Sequence, residues 1–161
     1  MTAPYDQEDL EREWAREDRT IAGLRELIEM DGGFTFDPTR GTLIEVGSTE
    51  AYAVGVPGTE HVIGAGASFV ATVHALTHRY AVEIADRECV LGGWYSPEHG
   101  HAMLELTELF DVTRAQAIFI GRARQQEAVL DLLTGECIAT SPAAVIPPAG
   151  LLHTGAATWA A

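Results

Sequence analysis

The stretch over residues 92–138 constrains the fold more than any other part of the chain. It reads GGWYSPEHGHAMLELTELFDVTRAQAIFIGRARQQEAVLDLLTGECI. Pro97 fits the second position of a tight turn, and Gly100 can adopt a positive φ after it. Thr113 is followed three residues later by a glutamine, a capping box that begins a helix. A Thr-Gly pair at 134–135 is typical of a hairpin turn. The stretch therefore predicts a hairpin, a capped helix and a second hairpin.

The remainder of the chain supplies two more helices and three more strands. Residues 6–31 form an acidic amphipathic pattern that predicts a helix, with a break possible near residues 18–20. A hairpin is predicted over 34–46, a short strand over 52–56, a glycine-rich loop after it, and a helix capped by Ser68. Hairpins connected by helices predict the α+β class, an antiparallel or mixed sheet of short hairpins with about three helices packed on it.

The composition predicts one domain and a tail. The chain has 161 residues, enough for a substantial core, and we expect a single α+β domain over residues 1–140. Residues 141–161 are rich in proline and alanine and predict an extended C-terminal tail. No apolar run approaches the roughly 20 residues of a membrane span, and the acidic N-terminus is unlike a secretion signal. We therefore expect a cytoplasmic protein without a membrane contact, with Cys89 and Cys137 as buried free thiols.

The charge is strongly negative. The chain carries 24 acidic and 10 basic residues, a formal net charge of −14, and every base is an arginine. Such a surface repels nucleic acid and attracts basic surfaces, although acidity that serves only solubility is also common. Residues 6–17 hold six acids and two arginines. Because its negative charge is so concentrated, this segment is the part of the chain predicted to contact a basic protein.

The first helix also carries an apolar stripe formed by Leu10, Trp14, Ile21, Leu24 and Ile28. The stripe predicts packing against the core or a seam between two copies of the chain. Exposed aromatic residues contribute much of the energy of protein contacts, which adds Trp94 and Tyr95 as candidates. The candidate binding residues are Glu8, Asp9, Glu11, Glu13, Trp14, Trp94 and Tyr95.

The histidines suggest a metal site only weakly. His74 and His78 are four residues apart on the second predicted helix and can share one face, with Glu83 or Glu98 as a third ligand. The general-base glutamate of the usual zinc-hydrolase helix is missing, so we predict no tightly bound zinc and no cofactor. An enzyme would instead place a histidine and carboxylate site between this helix and the central hairpin, with His74, His78, His99 or Glu98.

Three acids follow the central turn, at Glu105, Glu108 and Asp111. Paired carboxylates divide acid and base roles when one of them is buried. The alternation of these acids with apolar residues is also typical of a solvated strand face, and this simpler interpretation is the one adopted. No catalytic residue is assigned.

Several segments together resemble a loose group of uncharacterised small accessory proteins of actinobacteria, their phages and mobile elements. The segments are GGFTFDPTRG, YAVGVPGTE, GGWYSPEHG and QQEAVLDLLTGECI, within residues 20–140. The group combines a GGW–turn–strand hairpin, a short helix and a DLxTGE ending. The resemblance implies an accessory role such as inhibition or counter-defence, in the host cytoplasm if the protein is phage-encoded, and it carries over no catalytic residue.

The sequence therefore predicts a non-enzymatic acidic accessory protein that binds a basic protein surface. Two alternatives stay open. One is the small enzyme with the histidine and carboxylate site, and the other is a homo-oligomeric structural protein whose N-terminal helices pair.

Overall fold

The computed structural model describes residues 7–96 and 100–141; for residues 7–10 and 31 only the backbone is described. Residues 97–99 of the predicted turn and most of the predicted tail, 142–161, lie outside this description. The helices are α1 (Gln7–Asp31), α2 (Phe69–Arg79), α3 (Ala81–Arg87) and α4 (Arg114–Ala123). The strands are β1 (Gly33–Asp37), β2 (Thr42–Leu43), β3 (Tyr52–Gly55), β4 (His61–Val62), β5 (Val90–Ser96), β6 (His101–Phe110), β7 (Ala128–Asp131) and β8 (Cys137–Ala139).

The strands form one curled antiparallel sheet in the order β2-β1-β5-β6-β3-β7-β8, with β4 paired to the far end of β6. The predicted α+β class is confirmed. The described residues contain four helices where about three were predicted, because the second predicted helix is divided at Tyr80 into α2 and α3. None of the described helices combines the length and apolar character needed to cross a bilayer.

The local turn and capping signals act as predicted. Ser68 and Thr113 cap α2 and α4 through their side chains, and Gln116 completes the capping box. Gly41 and Gly135 adopt positive φ values of 65° and 75° in the first and last hairpin turns, a conformation that favours glycine. The predicted loop after β3 contains the short strand β4, which adds to the edge of the long β6.

One side of the sheet, the helix face, carries the helices. Phe34, Leu91 and Leu106 of this face pack with Leu24 of α1 and Val73 of α2 in the largest apolar cluster. A second cluster packs α4 onto β3, β7 and β8. These contacts explain the alternating apolar pattern along β1 and β6.

The opposite side, the inner face, is covered by the chain that follows β2. The backbone N–H of Ile44 donates to the carbonyl of Thr35 at 2.9 Å, and the N–H of Gly47 donates to the carbonyl of Leu132 at 2.8 Å. Residues 44–47 therefore span from β1 to the end of β7. Because the sheet is curled and this segment crosses it, the inner face is buried as well, around an apolar cluster that contains Trp94 and Leu130.

Helix α1 is continuous through residues 18–20, where a break had been considered. Ile21, Leu24 and Ile28 are buried as the stripe predicts. Trp14 on the same stripe is 62% exposed, and none of residues 11–20 is buried. Of the two predictions for Trp14, packing in the core is wrong, because the buried part of the stripe among residues 11–30 begins at Ile21. The other, a seam between two copies of the chain, stays a prediction.

Candidate functional site in the sheet interior

A row of polar residues crosses the inner face at its centre. Thr35 on β1 pairs with Gly92 on β5, and Gly92 pairs with Glu105 on β6. Directly paired residues of antiparallel strands point to the same side of a sheet, so Thr35 and Glu105 face the interior on either side of a glycine. Thr107 lies on the same face one row further along β6. Three polar side chains therefore enter the interior beside the apolar cluster that contains Trp94.

These side chains are fully buried and lack hydrogen-bond partners. The exposed fractions are 1% for Glu105 and 0% for Thr35 and Thr107. Neither carboxyl oxygen of Glu105 and neither threonine hydroxyl makes a hydrogen bond of normal geometry with a described residue. Most buried polar groups in proteins are hydrogen-bonded, and each exception costs about 1–3 kcal/mol. A cluster of such exceptions in one place marks a candidate site.

The carboxyl of Glu105 is strongly perturbed. Burial disfavours its charged form and raises its pKa from 4.5 to about 8, and the negative charge of Glu60 contributes in the same direction. The indole of Trp94 lies close enough to the carboxyl to oppose this rise in pKa. Glu105 is therefore mainly a neutral carboxylic acid at pH 7, able to donate as well as accept a hydrogen bond.

Glycine on β3 makes room for this carboxyl. A Cβ atom at Gly55 would lie 2.7 Å from Oε2 of Glu105, and it would also collide with the side-chain amide of Gln126. The Glu105 carboxyl and the Gln126 amide thus approach each other over the backbone of Gly55. Strand β6 carries the acid, Gln126 lies beside its carboxyl, and Gly55 has no side chain that would occupy the same space.

Glu108, three residues further along β6, lies on the helix face and is fully paired. Its Oε1 forms an ion pair with Nη2 of Arg87 at 2.8 Å, and its Oε2 accepts a hydrogen bond from Arg124. Arg124 also donates to the carbonyl oxygen of Gly55 at 3.3 Å, and its guanidinium stacks over the ring of Phe110. Glu108 therefore pairs with two arginines and connects α3, α4 and the sheet.

The interpretation of these acids as a solvated strand face is wrong for two of the three. Glu105 is 1% and Glu108 9% exposed, because the helices cover one face of β6 and the curl of the sheet covers the other. Asp111, which follows the last residue of β6, is exposed as that interpretation expects. The missed signal was that Met103 and Leu109, which share the face of Glu105, are apolar.

The two candidate metal ligands do not converge on a metal site in the described structure. His74 and His78 are both exposed, and Nε2 of His74 lies 2.8 Å from Oδ1 of Asp18, which connects α2 to α1. Across residues 7–96 and 100–141, apart from the undescribed side chains, no three His, Cys, Asp or Glu side chains form a group that could hold a metal ion. Glu98 and His99 lie outside the described residues.

The candidate binding residues are dispersed. Trp94 is buried in the inner-face cluster, so its prediction as a contact residue is wrong: it pairs with Met103 across β5 and β6 and points inward. Tyr95, which points the other way, is 40% exposed in a groove of about 240 Å³ beside α1. Glu11, Glu13 and Trp14 are exposed on α1, and the side chains of Glu8 and Asp9 lie outside the described ones.

Comparison of the chain with protein-family models, with curated proteins and with solved structures found no significant similarity in any of the three.

Proposed function

We propose that this protein binds a basic protein surface through residues 7–20 of α1, the acidic segment, and that it has no catalytic role of its own. The observation that carries the proposal is the exposure of Trp14, 62% of whose surface is open on a helix segment where no residue of 11–20 is buried. A large aromatic side chain exposed among charges is typical of a binding hot spot. The accessory, actinobacterial or phage-related setting and the cytoplasmic location belong to the same proposal and rest on the resemblance and the N-terminal sequence.

The charge of the segment selects the partner. The chain carries a net charge of −14, and six acids against two arginines fall in residues 6–17. Acids on an exposed helix attract a basic surface over a Debye length of about 8 Å at physiological ionic strength. Trp14 would then supply contact energy after the encounter, whereas the acids would mainly accelerate it.

The segment is supported by the body of the protein. The bond between His74 and Asp18 fixes the middle of α1 to α2, and Ile21 buries the next turn. The turn between β1 and β2 forms one wall of a cleft of about 170 Å³ whose other wall includes Glu13 and Arg16. A segment held in this way presents Trp14 without a large ordering cost on binding.

The test is capture of basic proteins by immobilised variants. A cytosolic extract is passed over a cation exchanger, and the retained proteins are offered to the wild type, to Trp14→Ala, and to a variant in which Glu8, Glu11 and Glu13 become Gln and Asp9 becomes Asn. The matched controls are Phe119→Ala, an exposed aromatic residue on α4, and a variant that neutralises four exposed acids elsewhere: Glu26, Glu45, Glu50 and Asp86.

We expect a partner that the controls retain and that both segment variants lose. With the purified partner, neutralisation should slow association and flatten its salt dependence, and Trp14→Ala should weaken affinity about 30-fold, equivalent to a hot spot of about 2 kcal/mol. Equal capture by all variants would refute the proposal. A concentration-dependent dimer that Trp14→Ala dissolves would favour the homo-oligomer instead.

A further inference from the structure

The inner-face site offers hydrogen-bond acceptors and an aromatic ring but no cation of its own. Glu105 contributes two carboxyl oxygens, and Thr35 and Thr107 contribute hydroxyl oxygens, all without partners of normal geometry among the described residues. The indole N–H of Trp94 lies beside the same carboxyl. No arginine or histidine in the described part of the chain forms an ion pair with Glu105, whereas Glu108 on the other face has two arginines. Acceptors beside an aromatic ring are the usual surroundings of a bound ammonium group.

The backbone register places no side chain between these groups. Adjacent strands lie about 4.8 Å apart, so Thr35 and Glu105 are roughly 10 Å apart across β5. The residue between them is Gly92, which contributes no side chain to the inner face.

The electrostatic field near the site favours a cation. Glu60, immediately before β4, is exposed and acts on the Glu105 carboxyl through its charge. The net charge of −14 raises the local concentration of small cations further. An anionic ligand would meet two carboxyl groups and is disfavoured.

We propose that the interior of the curled sheet binds a small primary ammonium ion, with Glu105 as its counter-ion and the hydroxyls of Thr35 and Thr107 as acceptors, beside the indole of Trp94. This site is separate from the proposed contact surface on α1, so that either proposal can fail alone.

Proton release follows from the state of Glu105. Its pKa is about 8 in the free protein, and among the described residues Glu60 is the charged group that acts on it. Below that pH a cation that binds the carboxylate displaces one proton. The affinity should therefore rise about tenfold per pH unit up to about pH 8 and then level off.

The experiment is calorimetric titration of the full chain with methylammonium and with ethanolammonium, at about pH 6 and about pH 8.5, in two buffers of different protonation heat. We expect binding of one equivalent of at least one of these ions, one proton released near pH 6, and an affinity about 75-fold higher near pH 8.5 than near pH 6. Tetramethylammonium, which has no N–H group, should not compete.

Variants locate the binding. Glu105→Gln should abolish it, Thr35→Val and Thr107→Val should each weaken it about tenfold, and Glu26→Gln, which removes a distant exposed charge, should leave it unchanged. The indole N–H resonance of Trp94, assigned with Trp94→Phe, should shift during the titration of the wild type. This shift keeps the test independent of the folding of the Glu105 variant.

Three results would overturn the proposal. The first is the absence of binding at millimolar concentrations near pH 8.5. The second is binding that Glu105→Gln retains or that tetramethylammonium competes away, which would indicate general attraction to an acidic surface. The third is a crystal structure grown with the ligand that shows only ordered water against Glu105.

Discussion

Glu105 and Glu108 are three residues apart on the same strand, and the protein treats them in opposite ways. Glu108 lies under the helices and forms ion pairs with Arg87 and Arg124. Glu105 lies in the curled interior, is 1% exposed and has no cationic partner among the described residues. The first carboxylate connects three elements of the fold. The second has no ion-pair partner among the described residues and carries the cost of burial.

The difference separates a structural charge from a candidate functional one. A partly buried carboxylate is compensated when its partners lie at ion-pair distance, as those of Glu108 do. An uncompensated carboxyl is retained at a cost in stability, and such groups concentrate at sites that bind or react. The same substitution at the two positions should therefore change stability in opposite directions.

The largest effect is expected at Glu105. The folded protein holds the proton of Glu105 up to about pH 8, whereas the unfolded chain releases it near its ordinary pKa of 4.5. Folding therefore takes up a proton between these pH values, and the free energy of unfolding should fall by about 1.4 kcal/mol per pH unit as the pH rises from 4.5 to 8. Glu105→Gln removes this cost and should stabilise the protein by about 3 kcal/mol at pH 7.

The measurement is urea unfolding of the wild type and Glu105→Gln at several pH values. The difference between the two curves should grow up to about pH 8 and stay constant above it. A variant that is less stable than the wild type at pH 7 would mean that Glu105 has a structural partner, and the contrast with Glu108 would disappear.

The next largest effect, with the opposite sign, is expected for Glu108→Gln. The variant keeps the shape of the side chain but removes the charge that pairs with Arg124, whose own side chain is only 19% exposed. We expect a loss of about 2 kcal/mol, less than for a fully buried pair because Arg87 can turn to solvent. Glu136→Gln is the matched control: its bidentate pair with Arg114 is half exposed and should contribute less than about 1 kcal/mol.

A smaller loss of stability is expected for Gly55→Ala, and it tests where the carboxyl of Glu105 lies. Gly55→Ala places a methyl group 2.7 Å from Oε2, and we expect a loss of about 1–2 kcal/mol because the crowded side chains must move. In the background of Glu105→Ala, which removes that carboxyl, part of this loss should disappear. A double-mutant cycle measured by thermal unfolding gives the coupling. Additive losses would place the carboxyl elsewhere.

The elements of the fold were predictable where short-range signals set them, and the site was not. The caps at Ser68 and Thr113 and the turn at Gly41 depend on neighbouring residues, so the sequence alone indicated them correctly. The burial of Glu105 depends on the curl of the sheet and on residues 44–47, which connect β1 to the end of β7 far along the chain. The alternation of apolar and polar residues along β6 distinguishes the two faces of the strand, but it does not show that other parts of the chain bury both of them.

On α1, too, the sequence pattern does not show how far the core extends along the helix. The smallest effect on stability is expected there, at Trp14. The stripe continues from Ile28 back to Trp14 without a change in period, but the core ends near Ile21, and Trp14 is 62% exposed. Trp14→Ala should therefore change the free energy of unfolding by less than about 0.5 kcal/mol, as exposed substitutions do. Ile21→Val, which removes one buried methyl group from the same helix, should cost about 1 kcal/mol and is the reference. Both are measured by urea unfolding at a protein concentration at which the chain is monomeric. If Trp14→Ala costs more than Ile21→Val, Trp14 is part of the folded body and its exposure no longer supports binding. If Trp14→Ala leaves the free energy of unfolding unchanged and abolishes partner capture, Trp14 acts in binding and not in folding. The two glutamates differ in the same way: Glu108 stabilises the fold, whereas Glu105 does not.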